Sequence, residues 1–130
     1  MRRHTLFAVV ALASLAAPAA FSHHAVQAQF DVGKVSTFTG TLAKTELINP
    51  HPYLHFDVKA GAKTTRWEIE APALVALRRL GLIKRLKVGE TYTVQYAPAR
   101  NGTPLGLIRS ITLPGGETII TSSAEDFGKR

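Results

Sequence analysis

Two prolines in four residues, Asn49-Pro50-His51-Pro52, fix the backbone at mid-chain more tightly than any other stretch. Proline locks φ, removes an N–H donor and pushes the preceding residue out of the helical region, so this segment is neither helix nor central strand. Directly after it, Tyr53 to Lys59 alternates, with Leu54, Phe56 and Val58 on one face and Tyr53, His55 and Asp57 on the other. Ala60-Gly61-Ala62 is a turn, and Thr64 to Glu70 returns with Thr65, Trp67 and Ile69 on one face and Arg66, Glu68 and Glu70 on the other. A rigid turn running into a β-hairpin is therefore the centre of the fold.

Before the turn, Lys34 to Ile48 is rich in β-formers. Phe38, Gly40 and Leu42 share a face, but Leu47 falls on the opposite phase, so the strand must slip register near Ala43 and Lys44. A bulge in a bent strand does this, with Gly40 easing the curvature. After the hairpin, Pro72 suits the first position of a helix whose stripe is Leu74, Leu77 and Leu80 and whose end is Gly81. Lys87 to Glu90 turns into a strand with Tyr92, Val94 and Tyr96 inward. Ala99 to Pro104 is a loop around Asn101-Gly102, and Leu105 to Leu113 is the last full strand. Pro114-Gly115-Gly116 turns again, Thr118 to Thr121 can add an edge strand, and 122–130 is a polar tail expected to fray.

The order β-β-β-α-β-β describes an all-β domain with one short helix, a small five-stranded barrel of the OB type. A sandwich or partly open sheet is the alternative, but it has no natural place for the helix. Phe38, Leu42, Leu54, Phe56, Val58, Trp67, Ile69, Leu74, Leu77, Val94, Ile111 and Leu113 supply its core. Each such side chain contributes roughly 1.5–3 kcal/mol on burial, and the core must suffice, because there is no cysteine to form a disulfide.

The barrel is expected to span 34–121, preceded by a signal peptide over 1–22 and an irregular arm over 23–33 anchored by Phe30. Arg2, Arg3 and His4 precede the uncharged run Leu6 to Ala17 and then Pro18, the layout of a secretory signal. The run falls short of the roughly 20 strongly apolar residues a spanning helix needs. Cleavage after Ser22 leaves His23 as the new N-terminus; cuts after Ala19 or Ala28 also satisfy the small-residue rule. A periplasmic, monomeric chain of 108 residues is expected, and nucleic acid is not a natural partner there. Without Arg2 and Arg3, 14 Lys and Arg face 9 Asp and Glu, a balance of +5. Arg78, Arg79, Lys84, Arg85 and Lys87 concentrate that charge, which suits a solvated helix end or attraction to an anionic envelope ligand.

On an OB-type barrel, ligands meet the outer face of the second and third strands and the two loops flanking it. Here that surface carries Asn49, His51, Tyr53, His55, Asp57, Arg66, Glu68 and Glu70, with Arg100 and Asn101 on the second loop. There is no cysteine nucleophile, serine elbow or HExxH spacing, so a non-enzymatic binding or accessory module is expected, its partner an envelope protein or anionic envelope ligand. The alternative is a copper or zinc carrier or sensor. Neutral imidazole is a common ligand for both metals, and the amine and ring of His23 could chelate Cu(II) with His24 or His51 completing the set.

His23-His24, Phe30-Asp31, Thr39-Gly40, Asn49-Pro50-His51, Trp67, Arg78-Arg79 with Gly81, Gly89 and Ser110-Ile111-Thr112-Leu113-Pro114-Gly115 together resemble the exported bacterial proteins grouped as domain of unknown function 6152. The resemblance covers nearly all of the mature chain. In that family the paired histidines lie just past the signal peptide and are followed by Ser, whereas this chain has Ala25. The resemblance implies an envelope location and no particular activity.

Overall fold

The computed structural model describes residues 25–122. The expected signal peptide, His23, His24 and the tail beyond Ser122 lie outside the described residues. Six strands follow one another: β1 (Ser36–Glu46), β2 (Tyr53–Ala60), β3 (Lys63–Glu70), β4 (Thr91–Pro98), β5 (Leu105–Thr112) and β6 (Thr118–Ile120), with a short helix (Leu74–Arg79) between β3 and β4. They pair in the order β3-β2-β1-β4-β5-β6, and β5 also pairs with β3. That last pairing is parallel and short, Glu68 to Leu105, Ile69 to Gly106 and Glu70 to Leu107, and it closes the first five strands into the expected barrel. The edge of β5 that β3 leaves free is taken by β6 from Ser110 to Thr112. Among the described residues, no helix is long and apolar enough to cross a membrane.

The bend in β1 lies where the hydrophobic phase required it: the register against β2 shifts between Leu42 and Lys44. Gly40 has a tighter reason than curvature. A Cβ there would stand 3.0 Å from Val58 Cγ2 and 3.1 Å from the Asp57 carbonyl oxygen, so β1 crosses β2 where only a hydrogen fits.

Leu54, Phe56, Ile69, Val94 and Ile111 are fully enclosed inside the barrel, and Phe38, Phe56, Trp67, Tyr92 and Tyr96 form its aromatic layer. Phe38 lies 5.5 Å from Phe56, 5.7 Å from Trp67 and 5.3 Å from Tyr96 between ring centres, all tilted, as aromatic quadrupoles prefer. Tyr92 is buried to its hydroxyl, which accepts from the Lys87 N–H at 2.8 Å and donates to the Arg85 carbonyl at 3.1 Å. This pins the turn ahead of β4, and burial pushes the phenol pKa up.

The helix starts at Leu74 with Ala73 as its cap, two residues later than Pro72 suggested. The reason is distant in sequence: Asn49 Oδ1 accepts the Leu74 N–H at 3.1 Å, so the turn before β2 caps this helix. At the other end Gly81, φ 67°, gives its N–H to Arg78 O, and the Leu82 N–H reaches Leu77 O, closing a Schellman turn over two buried leucines. The arm also departs from expectation, being helical over residues 25–29. Phe30, 1 % exposed, then bridges to Ala99 and packs with Ala97 and Leu107 outside the barrel wall.

Candidate functional site

The Asn49 to Pro52 turn is held at three points. Pro52 is buried, its carbonyl accepts the Ala71 N–H at 2.8 Å, and Asn49 is committed to the helix. Asn49, Pro50 and His51 are all exposed, and the His51 side chain, 58 % exposed, is free of the ties that hold Asn49 and Pro52. Its Nδ1 lies 2.7 Å from Glu70 Oε1, and the Tyr53 hydroxyl donates to Glu70 Oε2 at 3.3 Å.

Glu70 is outward, as the alternation of β3 requires, yet only 6 % exposed. Register explains this. Tyr53 stands opposite it on β2 and Leu107 beside it on β5, while His51 reaches over from the turn. A buried carboxylate needs charge or hydrogen bonds to be tolerated, and His51 and Tyr53 supply them. Burial, with the neighbouring Glu70 carboxylate second, raises the Tyr53 phenol pKa and keeps it a hydroxyl donor. The cluster opens on a cleft of about 240 Å³ whose walls include Pro50, Pro72, Leu107 and Ile108. The site is thus a polar corner made by Glu70, His51 and Tyr53 beside a mostly apolar recess.

A family model described as a family of unknown function (DUF6152) matches residues 10–109, three quarters of the chain. The chain belongs to the DUF6152 family. No curated protein and no solved structure matches it. In this DUF6152 member the Asn-Pro-His triplet divides its labour: Asn49 caps the helix, Pro50 lines the cleft and His51 binds Glu70. The matched region contains the whole cluster and ends before β6.

The other residues singled out by sequence lie in separate arrangements. Asp57 and Arg66 face each other across β2 and β3 as a two-point ion pair, with Nη2 to Oδ2 at 3.0 Å, and the guanidinium holds the Asp57 carboxyl below its usual range. His55, expected to be open on the outer face, is 9 % exposed beside the β1 bulge. Its Nε2 lies 3.6 Å from Glu46 Oε1 and makes no hydrogen bond. Lys44, also on Glu46, is the main cause of that carboxyl's lowered pKa. Arg100 and Asn101 serve the arm and their own loop. Arg100 donates through Nε to Gln27 O at 2.8 Å and through its backbone to Gln29 O at 2.9 Å, and Asn101 Oδ1 accepts from Thr103 N and Oγ1.

The hairpin alternation already placed Glu70 on this outer face. Leu107 and Ile108 carried no sequence signal, since they reach the cleft only through barrel closure. Among the described residues no three His, Cys, Asp or Glu side chains group as a metal site.

Proposed function

We propose that this DUF6152 member is an exported, periplasmic, non-enzymatic binding or accessory module that receives a segment of an envelope protein at the His51, Tyr53 and Glu70 cleft. The observation that carries the reading is the enclosed Glu70 carboxylate, held by an exposed histidine at the rim of an apolar recess. Burying a carboxylate is expensive and adds little to a barrel that already has a full apolar core. A partner that places an apolar side chain against Leu107 and Ile108 and a hydrogen-bonding group on His51 would use both halves of the site. The test is crosslinking in intact cells from a photoreactive residue at Ile48, which is 67 % exposed beside the turn. One adduct should form and disappear in His51→Ala and Tyr53→Phe proteins whose melting curves show them folded at the crosslinking temperature. Adducts that persist in both variants overturn the reading.

A second reading, a copper or zinc carrier or sensor, is favoured by one specific contact. Glu70 on Nδ1 leaves Nε2 of His51 with its lone pair outward, the arrangement that carboxylates impose on metal-binding histidines. Val26 packs on the cluster containing Leu107, a wall of the same cleft, and His24 precedes Val26 by two positions. Tight one-to-one metal uptake by the processed protein, lost in His51→Ala and in a chain with one extra residue before His23, is the expected result. Weak uptake that survives both changes removes this reading.

A further inference from the structure

We propose that the face formed by Val75, Arg78, Arg79, Ile83 and Lys84 docks on an anionic phospholipid bilayer. Three observations converge on it, none of which involves the His51, Tyr53 and Glu70 cluster. First, Val75 is 53 % exposed, and Arg78 and Arg79 follow it by three and four positions on one helix, so cation and apolar side chain share a face. Second, Arg78 and Lys84 line one cleft together with Gly81 and the half-buried Ile83, which places two cations at the rim of an apolar depression. Third, Lys44, Arg66 and Arg85 are paired with Glu46, Asp57 and Glu117, whereas Arg78, Arg79 and Lys84 have no carboxylate partner among the described residues and, unlike the scattered unpaired lysines Lys34, Lys59 and Lys63, lie within seven positions of one another.

Cations in a last helical turn also favour the helix dipole, and that accounts for Arg78 and Arg79. It does not account for Lys84, three residues past the Gly81 turn, or for the exposed Val75 beside the two arginines. An anionic bilayer offers what the face lacks: a plane of phosphates over an apolar boundary, into which side chains such as Val75 and Ile83 enter while the cations stay with the head groups. A free phosphate or an acidic glycan would satisfy the cations alone.

The test uses the processed chain recovered from the periplasm, its start fixed by intact mass, in flotation with phosphatidylglycerol/phosphatidylcholine vesicles and with pure phosphatidylcholine vesicles. Binding is expected only to the first. Each interfacial cation contributes about fivefold, so R78Q/K84Q should bind roughly 25-fold more weakly. K59Q/K63Q removes the same charge at the opposite end of the β2–β3 hairpin, about 25 Å away along the strands, and should stay within twofold. V75S should weaken binding and make what remains easier to remove with salt. All substituted side chains are exposed, so matching melting curves confirm folded variants. Equal losses in the two double variants, equal binding to both vesicle types, or no flotation overturn the proposal. Binding of soluble polygalacturonate or inorganic phosphate that depends on Arg78 and Lys84, without flotation, overturns it in favour of a soluble anion.

Discussion

Replacing Gly106 by alanine tests the closure of the barrel. The added Cβ would lie 2.5 Å from Tyr96 Cδ2 and 3.1 Å from both Tyr96 Cγ and Ile69 Cδ1. Neither neighbour can yield easily: Tyr96 is wedged against Phe38 and Trp67, 5.3 and 4.9 Å away between ring centres, and Ile69 is fully buried. A methyl forced into a packed core costs about 1–3 kcal/mol, and the short approach to a fixed ring puts Gly106→Ala at the upper end. In a domain of this size that is a fall of about 13 °C in melting temperature. Urea unfolding of wild type, Gly106→Ala, Tyr96→Val and the double variant forms a cycle. With the ring removed, the alanine should cost almost nothing, giving a coupling of about 3 kcal/mol. A single variant within 0.5 kcal/mol of wild type, or a cycle with no coupling, would show that β3 and β5 do not meet as described, and Glu70 would lose the strand that encloses it.

Asn49→Ala should lower stability by about 1 kcal/mol, the usual loss of a helix cap, whereas Asn49→Asp, which keeps an acceptor, should not; urea titration distinguishes them. Phe30→Ala should cost about 3 kcal/mol and speed amide exchange in the arm more than in the barrel. Asp57, Glu46 and Glu117 have carboxyl pKa values lowered first of all by Arg66, Lys44 and Arg85 respectively, from ordinary values of 3.8, 4.5 and 4.5. Because the folded values lie below the unfolded ones, these pairs stabilise fully above about pH 4.5 and lose their contribution as pH falls through the lowered folded values. Melting temperature from pH 7 to pH 2 should therefore fall mainly below pH 4.5, with a shallower fall in Asp57→Asn. His51→Ala should lower stability by about 1–3 kcal/mol in urea titration, since it takes one of two partners from the buried Glu70 carboxylate, and an unchanged midpoint would show that this contact adds nothing to the fold.

Side-chain phase carried most of the fold. The alternation from Tyr53 to Glu70 predicts the hairpin, and the conflict between Leu42 and Leu47 places the bulge. What local pattern could not carry was every feature set by strands distant in sequence. Glu70 and His55 alternate outward like any exposed residue, and only the neighbours brought by barrel closure and the β1 bulge bury them. Gly106 read as one glycine in a strand because Tyr96 and Ile69 meet it only in three dimensions. The late start of the helix follows from a side chain 25 residues earlier. For the candidate site, sequence placed His51 and Tyr53 on one surface, and both contact Glu70, but it grouped them with Arg100 and Asn101, whose polar groups are engaged by the arm and by Thr103.

The Asn49 cap has a thermodynamic consequence. A four-residue turn tied to the helix on one side and to Ala71 on the other has already lost its conformational freedom during folding. A ligand meeting His51 therefore orders nothing in the protein, and its association should carry a small entropic cost relative to the contact it makes. Freed by Asn49→Ala, the same turn would present the same chemistry to the proposed partner with weaker affinity and faster dissociation, so the residence time of that partner would be set in part by a residue outside the His51, Tyr53 and Glu70 cluster.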